Sequence, residues 1–139
     1  MKKYLTILCI GIISCIAATK SKPEEVAYSW IKASILGDTD SLDKYTDWIE
    51  IIEPNKRKTD EAFQLEKQSI LEGNAYWSDV LREDDWFPHI IPSIKMDSIK
   101  TKGDESIVFL KFNTDSIKIM NVTLQLKREN GIWKVYKSR

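Results

Sequence analysis

Apolar side chains between residues 21 and 37 recur at helical spacing: Val26, Ala27, Trp30 and Ile31, with Ser34 on the same stripe. Ser21-Lys22-Pro23-Glu24 precedes them in the S-x-x-E form of a capping box, with a proline where its missing N–H costs nothing. Gly37 is the expected stop. A second short helix is predicted from about Thr39, with Leu42, Tyr45, Trp48 and Ile49 on one face. Pro54 to Lys58 breaks the pattern. Thr59 then caps a third helix whose first turn carries Asp60 and Glu61, favourable beside the positive end of a helix. Phe63, Ile70, Trp77 and Leu81 mark its expected apolar face, Gly73 is a point at which it is expected to bend, and it should fade near Arg82.

From Ile90 the period changes. Ile94-Lys95-Met96 and Ile107 to Phe112 read as two strands around the turn Lys102-Gly103-Asp104. Ile117 to Lys127 reads as a long strand in which Met120, Val122, Leu124 and Leu126 alternate with polar residues. Asn130-Gly131 is a hairpin signal, because both positions of the favoured two-residue turn need positive φ. Ile132 to Lys137 closes the sheet. Helices followed by a four-stranded antiparallel meander make an α+β domain.

The N-terminus has a different character. Lys2 and Lys3 form a positive head, and Tyr4 to Ala18 is apolar apart from Thr6, Gly11 and Ser14. The run falls short of the roughly 20 residues that span a bilayer and has the form of an export signal. Ile12-Ile13-Ser14-Cys15 resembles the bacterial lipobox, which implies that Cys15 carries lipid and becomes the first residue of the mature protein. Residues 1–14 are then a lipoprotein signal peptide, 15–22 a tether and 23–139 the working domain. The expected location is the bacterial cell envelope, with the chain held on a membrane through its N-terminal lipid.

Composition removes several chemistries. The 139 residues include one histidine, His89, and two cysteines, Cys9 and Cys15, both ahead of the domain. A Cys/His zinc site needs about four ligands, so no metal and no other cofactor is expected. Disulfides within the domain are excluded on the same count. Charge is divided: residues 15–94 hold 9 basic and 16 acidic side chains, residues 95–139 hold 10 basic and 5 acidic. The helical part is thus acidic and the sheet basic, and a domain with no net positive charge is a poor candidate for nucleic acid.

The order of elements resembles the nuclear transport factor 2-like, or cystatin-like, fold, in which helices pack into a strongly curved sheet shaped as a cone. Two motifs carry the resemblance. Pro23-Glu24-Glu25-Val26 through Trp30-Ile31, Ala33 and Gly37-Asp38 is similar to the first helix of small bacterial members. Glu129-Asn130-Gly131-Ile132-Trp133-Lys134-Val135 is similar to their last hairpin. The resemblance implies a tapering, partly open cavity and, in the enzymes of this fold, a carboxylate or histidine base inside it. No position here matches those catalytic motifs, so no catalytic residue is assigned.

The residues best placed for chemistry or ligand contact at the mouth of such a cone are Asp84, Asp85, Trp86, Phe87 and His89, with Tyr28 and Tyr76 as hydroxyl donors. They combine acids, a base and aromatics that lower the local dielectric. The plainer expectation is that the acids are solvated, Trp86 and Phe87 pack inward, and His89 is exposed. Trp30, Trp48, Trp77 and Trp133 are expected in the core, since a buried tryptophan removes a large apolar area from water. The sequence thus points to a non-catalytic envelope binding module, which holds a small apolar ligand in the cone, binds an envelope protein, or pairs with its own copy through the sheet. The alternatives are an isomerase, dehydratase or hydrolase using a carboxylate or His89, and an immunity or inhibitor protein that binds a secreted partner. An interaction protein should have a filled cone and an exposed apolar patch, whereas an enzyme should have a titratable group facing an open cavity.

Overall fold

The computed structural model describes residues 21–113 and 120–139; the signal segment, Cys15 and the stretch from Ile117 to Ile119 lie outside them. Helix α1 runs Pro23–Leu36, α2 Thr39–Tyr45, α3 Trp48–Ile51, α4 Asp60–Leu81 and α5 Phe87–Ser93, with a 3-10 turn at Pro54–Lys56. Strands β1 (Ile94–Lys102), β2 (Glu105–Phe112), β3 (Met120–Glu129) and β4 (Ile132–Ser138) form one antiparallel sheet in the order β1-β2-β3-β4.

The start of α1 falls one residue later than expected. Lys22 is the capping position, and it is the Glu25 carboxylate that accepts from the Lys22 backbone N–H, at 3.3 Å. At the other end Gly37 has φ 69°, and the Asp38 N–H reaches back to the Ala33 carbonyl at 3.0 Å. Asp38 serves twice, because its carboxylate also caps α2, accepting from the Ser41 N–H at 3.1 Å and the Ser41 hydroxyl at 2.7 Å.

The expected second helix is two helices. α2 ends at Tyr45, Thr46 turns extended, and Asp47 caps α3 by accepting from Glu50 N–H. The interruption has a structural use. Thr46 makes a parallel bridge to Val135, and Asp47 N–H donates to the Val135 carbonyl at 2.8 Å, which covers part of the free edge of β4. Ile49, expected on the same apolar face as Leu42 and Trp48, is exposed as a result.

The core lies between α1 and the inner face of the sheet. Val26, Ala27 and Ile31 meet Val108, Leu110, Phe112, Leu124, Leu126, Trp133 and Val135, with Ile90 of α5 closing one end. Each fully buried side chain of this size contributes about 1.5–3 kcal/mol through area removed from water. Two irregularities add twist to the sheet. Asp97 is an extra residue between the paired Met96 and Ser98, and Tyr136 is left unpaired where Gln125 and Leu126 face Lys137 and Val135. The Asn130-Gly131 turn has φ 51° and 78°, as the hairpin signal requires.

Helix α4 turns part of its expected apolar face outward: Phe63 is half-buried, but Ile70, Trp77 and Leu81 are exposed. Its Trp77 is 62% exposed, whereas the one fully buried residue of the helix is Ser78. The cause is α1, whose last carbonyls have no partner within their own helix. Asn74 Nδ2 donates to the Ser34 carbonyl at 3.0 Å, Ser78 Oγ to Ile35 at 2.7 Å, and Arg82 Nη2 to Leu36 at 2.6 Å. Spaced four apart, these three side chains lie on one helical stripe, and that polar stripe faces inward. The helix also runs through Gly73 without interruption.

Candidate functional site

The segment from Asp84 to His89 joins α4 to α5. Asp84 N–H donates to the Leu81 carbonyl at 3.1 Å, Phe87 N–H to Asp84 at 3.0 Å and His89 N–H to Trp86 at 3.0 Å, so the chain turns tightly into α5. Pro88 sits in the first turn of that helix, where the absent N–H has no cost. Phe87 is buried and Trp86 half-buried against the core, their ring centroids 6.1 Å apart. Asp84, Asp85 and His89 are exposed. The aromatics of this segment therefore pack down while its titratable groups point to solvent.

The two tyrosines are elsewhere. Tyr28 lies on the outer side of α1 and is exposed. Tyr76 lies on α4, 65% exposed, and meets Trp77 edge to face with ring centroids 5.7 Å apart. The structure thus separates the residues that the sequence grouped around a cone mouth. Tyr28 lies on α1, whereas Tyr76 lies on the outer surface of α4, eight residues before Asp84, so the group is spread over three elements rather than gathered at one mouth.

The cluster between α1 and the sheet is apolar. Trp133 is 3% exposed and lies in the core, with the Arg128 guanidinium 5.1 Å from its ring centre. Trp48 is buried too, and its Nε1 donates to Asp43 Oδ1 at 2.7 Å, an acid that Lys67 also meets at 2.7 Å. Trp30 is half-buried and donates through Nε1 to Thr46 Oγ1 at 2.9 Å. Of the four tryptophans expected inside, Trp77 is therefore the exception.

A surface that the sequence reading did not isolate runs along α4. Leu65, Ile70, Tyr76, Trp77, Val80 and Leu81 of this helix are exposed. Tyr76 and Val80 lie four residues apart, as do Trp77 and Leu81, so the four form two adjacent rows. The signal was present in the sequence as Asn74, Ser78 and Arg82 at the same spacing, a polar stripe beside the row of Trp77 and Leu81. Elsewhere, a hollow of about 330 Å³ near the β1–β2 turn is lined by Lys100, Lys102, Ile107 and Tyr136 among others. Among the described residues no group of three or more His, Cys, Asp or Glu side chains could hold a metal ion, and no described helix is long and apolar enough to cross a membrane.

Neither a protein-family model nor a curated protein sequence matches the chain. Solved structures do. A Campylobacter jejuni protein assigned as an NTF2-like transpeptidase superposes with a TM-score of 0.58 at 18% identity, over 83% of this chain and 97% of that one. The helical cell shape determining protein Pgp2 of the same organism superposes with a TM-score of 0.51 at 14% identity, over 82% of this chain, which spans 38% of the length of Pgp2. A chain of the type VI effector–immunity complex Tae3–Tai3 of Ralstonia pickettii gives 0.49 at 21% identity, over 84% and 94% of the two chains, a looser likeness that says nothing of function. Fold and function part at this level of identity. What the likeness establishes is architecture: helices on a four-stranded antiparallel sheet, an α+β domain of the nuclear transport factor 2-like fold.

Proposed function

We propose that the protein is an exported cell-envelope lipoprotein, held at a membrane through Cys15, whose domain works by binding a partner on its outer surface. Catalysis in the cone and enclosure of a ligand there are the readings it displaces. One observation carries this choice: the space between α1 and the sheet is occupied by Ile31, Leu110, Phe112, Leu126 and Trp133, while large aromatic side chains stand outside on α4. An enzyme of this fold would turn its acids and hydroxyls inward. Here Asp84, Asp85, His89, Tyr28 and Tyr76 all face solvent.

Ala27 provides the test of the interior. It is fully buried within the core cluster, so leucine adds three carbons to a space already occupied. In urea unfolding Ala27→Leu should lose about 1–3 kcal/mol, the usual cost of overpacking. Unchanged or raised stability would mean that the cone had room for a ligand, and the proposal would fail. The anchor has its own measurement. Cys15→Ser should abolish incorporation of labelled fatty acid and release the chain from the membrane fraction; unchanged attachment would remove the lipoprotein part of the reading.

A further inference from the structure

The exposed apolar side chains of α4 gather toward its C-terminal end, where acids surround them. Residues 60–85 contain eight acidic and two basic side chains, a net charge of −6. Of the two basic groups Lys67 is turned toward the rest of the protein, while Arg82 reaches α1 with its side chain half exposed. Lys67 lies 2.7 Å from Asp43 and 5.8 Å from the centre of the Trp48 ring, and Arg82 donates to the Leu36 carbonyl with Asp79 3.6 Å away. Asp79, Glu83, Asp84 and Asp85 are exposed beside Tyr76, Trp77, Val80 and Leu81. The exposed area of those four apolar side chains is on the order of 400 Å², within the range of the largest patch on an ordinary monomer and one that often marks a contact site.

The arrangement has the anatomy of a protein interface, an aromatic centre with a charged rim. It is also rigid. The polar ladder to α1 fixes the helix from behind, so Tyr76 and Trp77 are presented without the entropy cost of ordering a loop. The sign of the rim decides among occupants. A second copy docking α4 against α4 about a two-fold axis would set one acidic rim of Asp79, Glu83, Asp84 and Asp85 beside another. Anionic lipid headgroups would be repelled for the same reason. A copy docking head to tail through its basic sheet would leave both surfaces free on the next copy, an open chain rather than a closed pair.

Resting on the outer-surface reading above, the geometry points to the Tyr76–Trp77–Val80–Leu81 patch and its rim of Asp79, Glu83, Asp84 and Asp85 as the docking site for a basic protein partner. That partner offers an apolar groove or helix face flanked by lysine or arginine. Tyr76 and Trp77 are its anchors, and the acids set orientation and speed of encounter.

The test uses the full chain in nanodiscs of neutral phosphatidylcholine and two fluorescent synthetic helical peptides with the same leucine face. One peptide has lysine at its remaining positions and the other glutamate. Anisotropy titration should give at least about tenfold tighter binding of the lysine peptide, weakening as salt rises. Trp77→Ala should lower that affinity by about tenfold or more. Asp84→Lys with Asp85→Lys should erase the preference for lysine. Both changes are at exposed positions, and an unchanged circular dichroism melt confirms that the fold is intact. Equal affinity for the two peptides overturns the assignment, as does indifference to Trp77→Ala. Sedimentation showing self-association abolished by Trp77→Ala assigns the patch to a second copy, and preferential uptake by phosphatidylglycerol vesicles assigns it to lipid; either overturns the proposal. If the peptides fail and Ala27→Leu still destabilises, the patch assignment falls and the outer-surface reading stands. If Ala27→Leu is tolerated, that broader reading falls whichever peptide binds.

Discussion

Gly37 joins two features that can be separated by measurement. Its φ of 69° places it in the left-handed region, and its Cα lies against α4. A Cβ added there would sit 2.9 Å from the Ser78 Cβ and 3.2 Å from the Ala75 Cα, well inside ordinary carbon–carbon contact. The backbone conformation alone costs a non-glycine residue about 1–2 kcal/mol. Relieving the contact forces α4 outward, which stretches the hydrogen bonds from Asn74, Ser78 and Arg82 to the end of α1, and overpacking of this kind costs a further 1–3 kcal/mol or so. Gly37→Ala should therefore lose about 2–5 kcal/mol. Gly103 is the control: φ is 60°, and a Cβ would meet nothing within 4 Å. Gly103→Ala should lose only the conformational part, about 1–2 kcal/mol. Equilibrium urea unfolding of both variants measures the difference, with the slope m expected to be unchanged. Equal losses would refute the claim that α4 is seated on the end of α1 by a close approach at Gly37.

The two tryptophans at opposite extremes of exposure should behave oppositely. Trp133→Ala empties part of the core and should cost about 3–5 kcal/mol in the same assay, while Trp77→Ala should stay within about 0.5 kcal/mol of the parent; comparable losses would contradict the burial pattern. Acid stability should depend on Asp38, whose carboxyl is held below its ordinary value of 3.8 by the Ser41 hydroxyl first and the Ser41 N–H second. A folded carboxyl that releases its proton more readily than the unfolded one stabilises fully above the ordinary value and ceases to do so as pH falls through the folded value. Asp38→Asn should thus flatten the loss of stability below about pH 4. Urea midpoints along a pH series check this, and the same acid slope in both proteins would contradict it.

Elements defined by local chemistry were legible in the sequence. The end of α1 was readable from Gly37, the cap of α4 from Thr59, whose hydroxyl accepts from Ala62 N–H at 3.1 Å, and the last hairpin from Asn130-Gly131. β2 announced itself by its apolar run, and Ser106, Val108, Leu110 and Phe112 do line its inner face. What escaped depended on distant partners. The inward face of α4 is set by unpaired carbonyls more than 35 residues away in the chain, so the rule that the apolar stripe faces in missed the rotation that leaves Trp77 outside. The break at Thr46-Asp47 follows from the open edge of β4, made by residues near 135. α5 was not anticipated: it is seven residues long and holds Pro88 in its first turn and Pro92 near its end, residues that do not signal a helix interior. Of the proposed mouth residues, Trp86 and Phe87 pack inward as the plainer reading expected, whereas Tyr76 belongs to the outer face of α4.

A protein that works through its surface around a filled cone must keep its inner tryptophans dry and its outer one wet. Fluorine NMR of the chain labelled with 5-fluorotryptophan tests this directly, because the five tryptophans sample both environments and single Trp→Phe variants assign the lines. With a gadolinium chelate in the solvent, the Trp77 line should broaden and the Trp133 and Trp48 lines should not. On titration with the lysine peptide Trp77 should shift, and small apolar ligands should leave Trp133 unmoved. A Trp133 line that follows an apolar ligand, or a Trp77 line shielded from the chelate, would contradict the account.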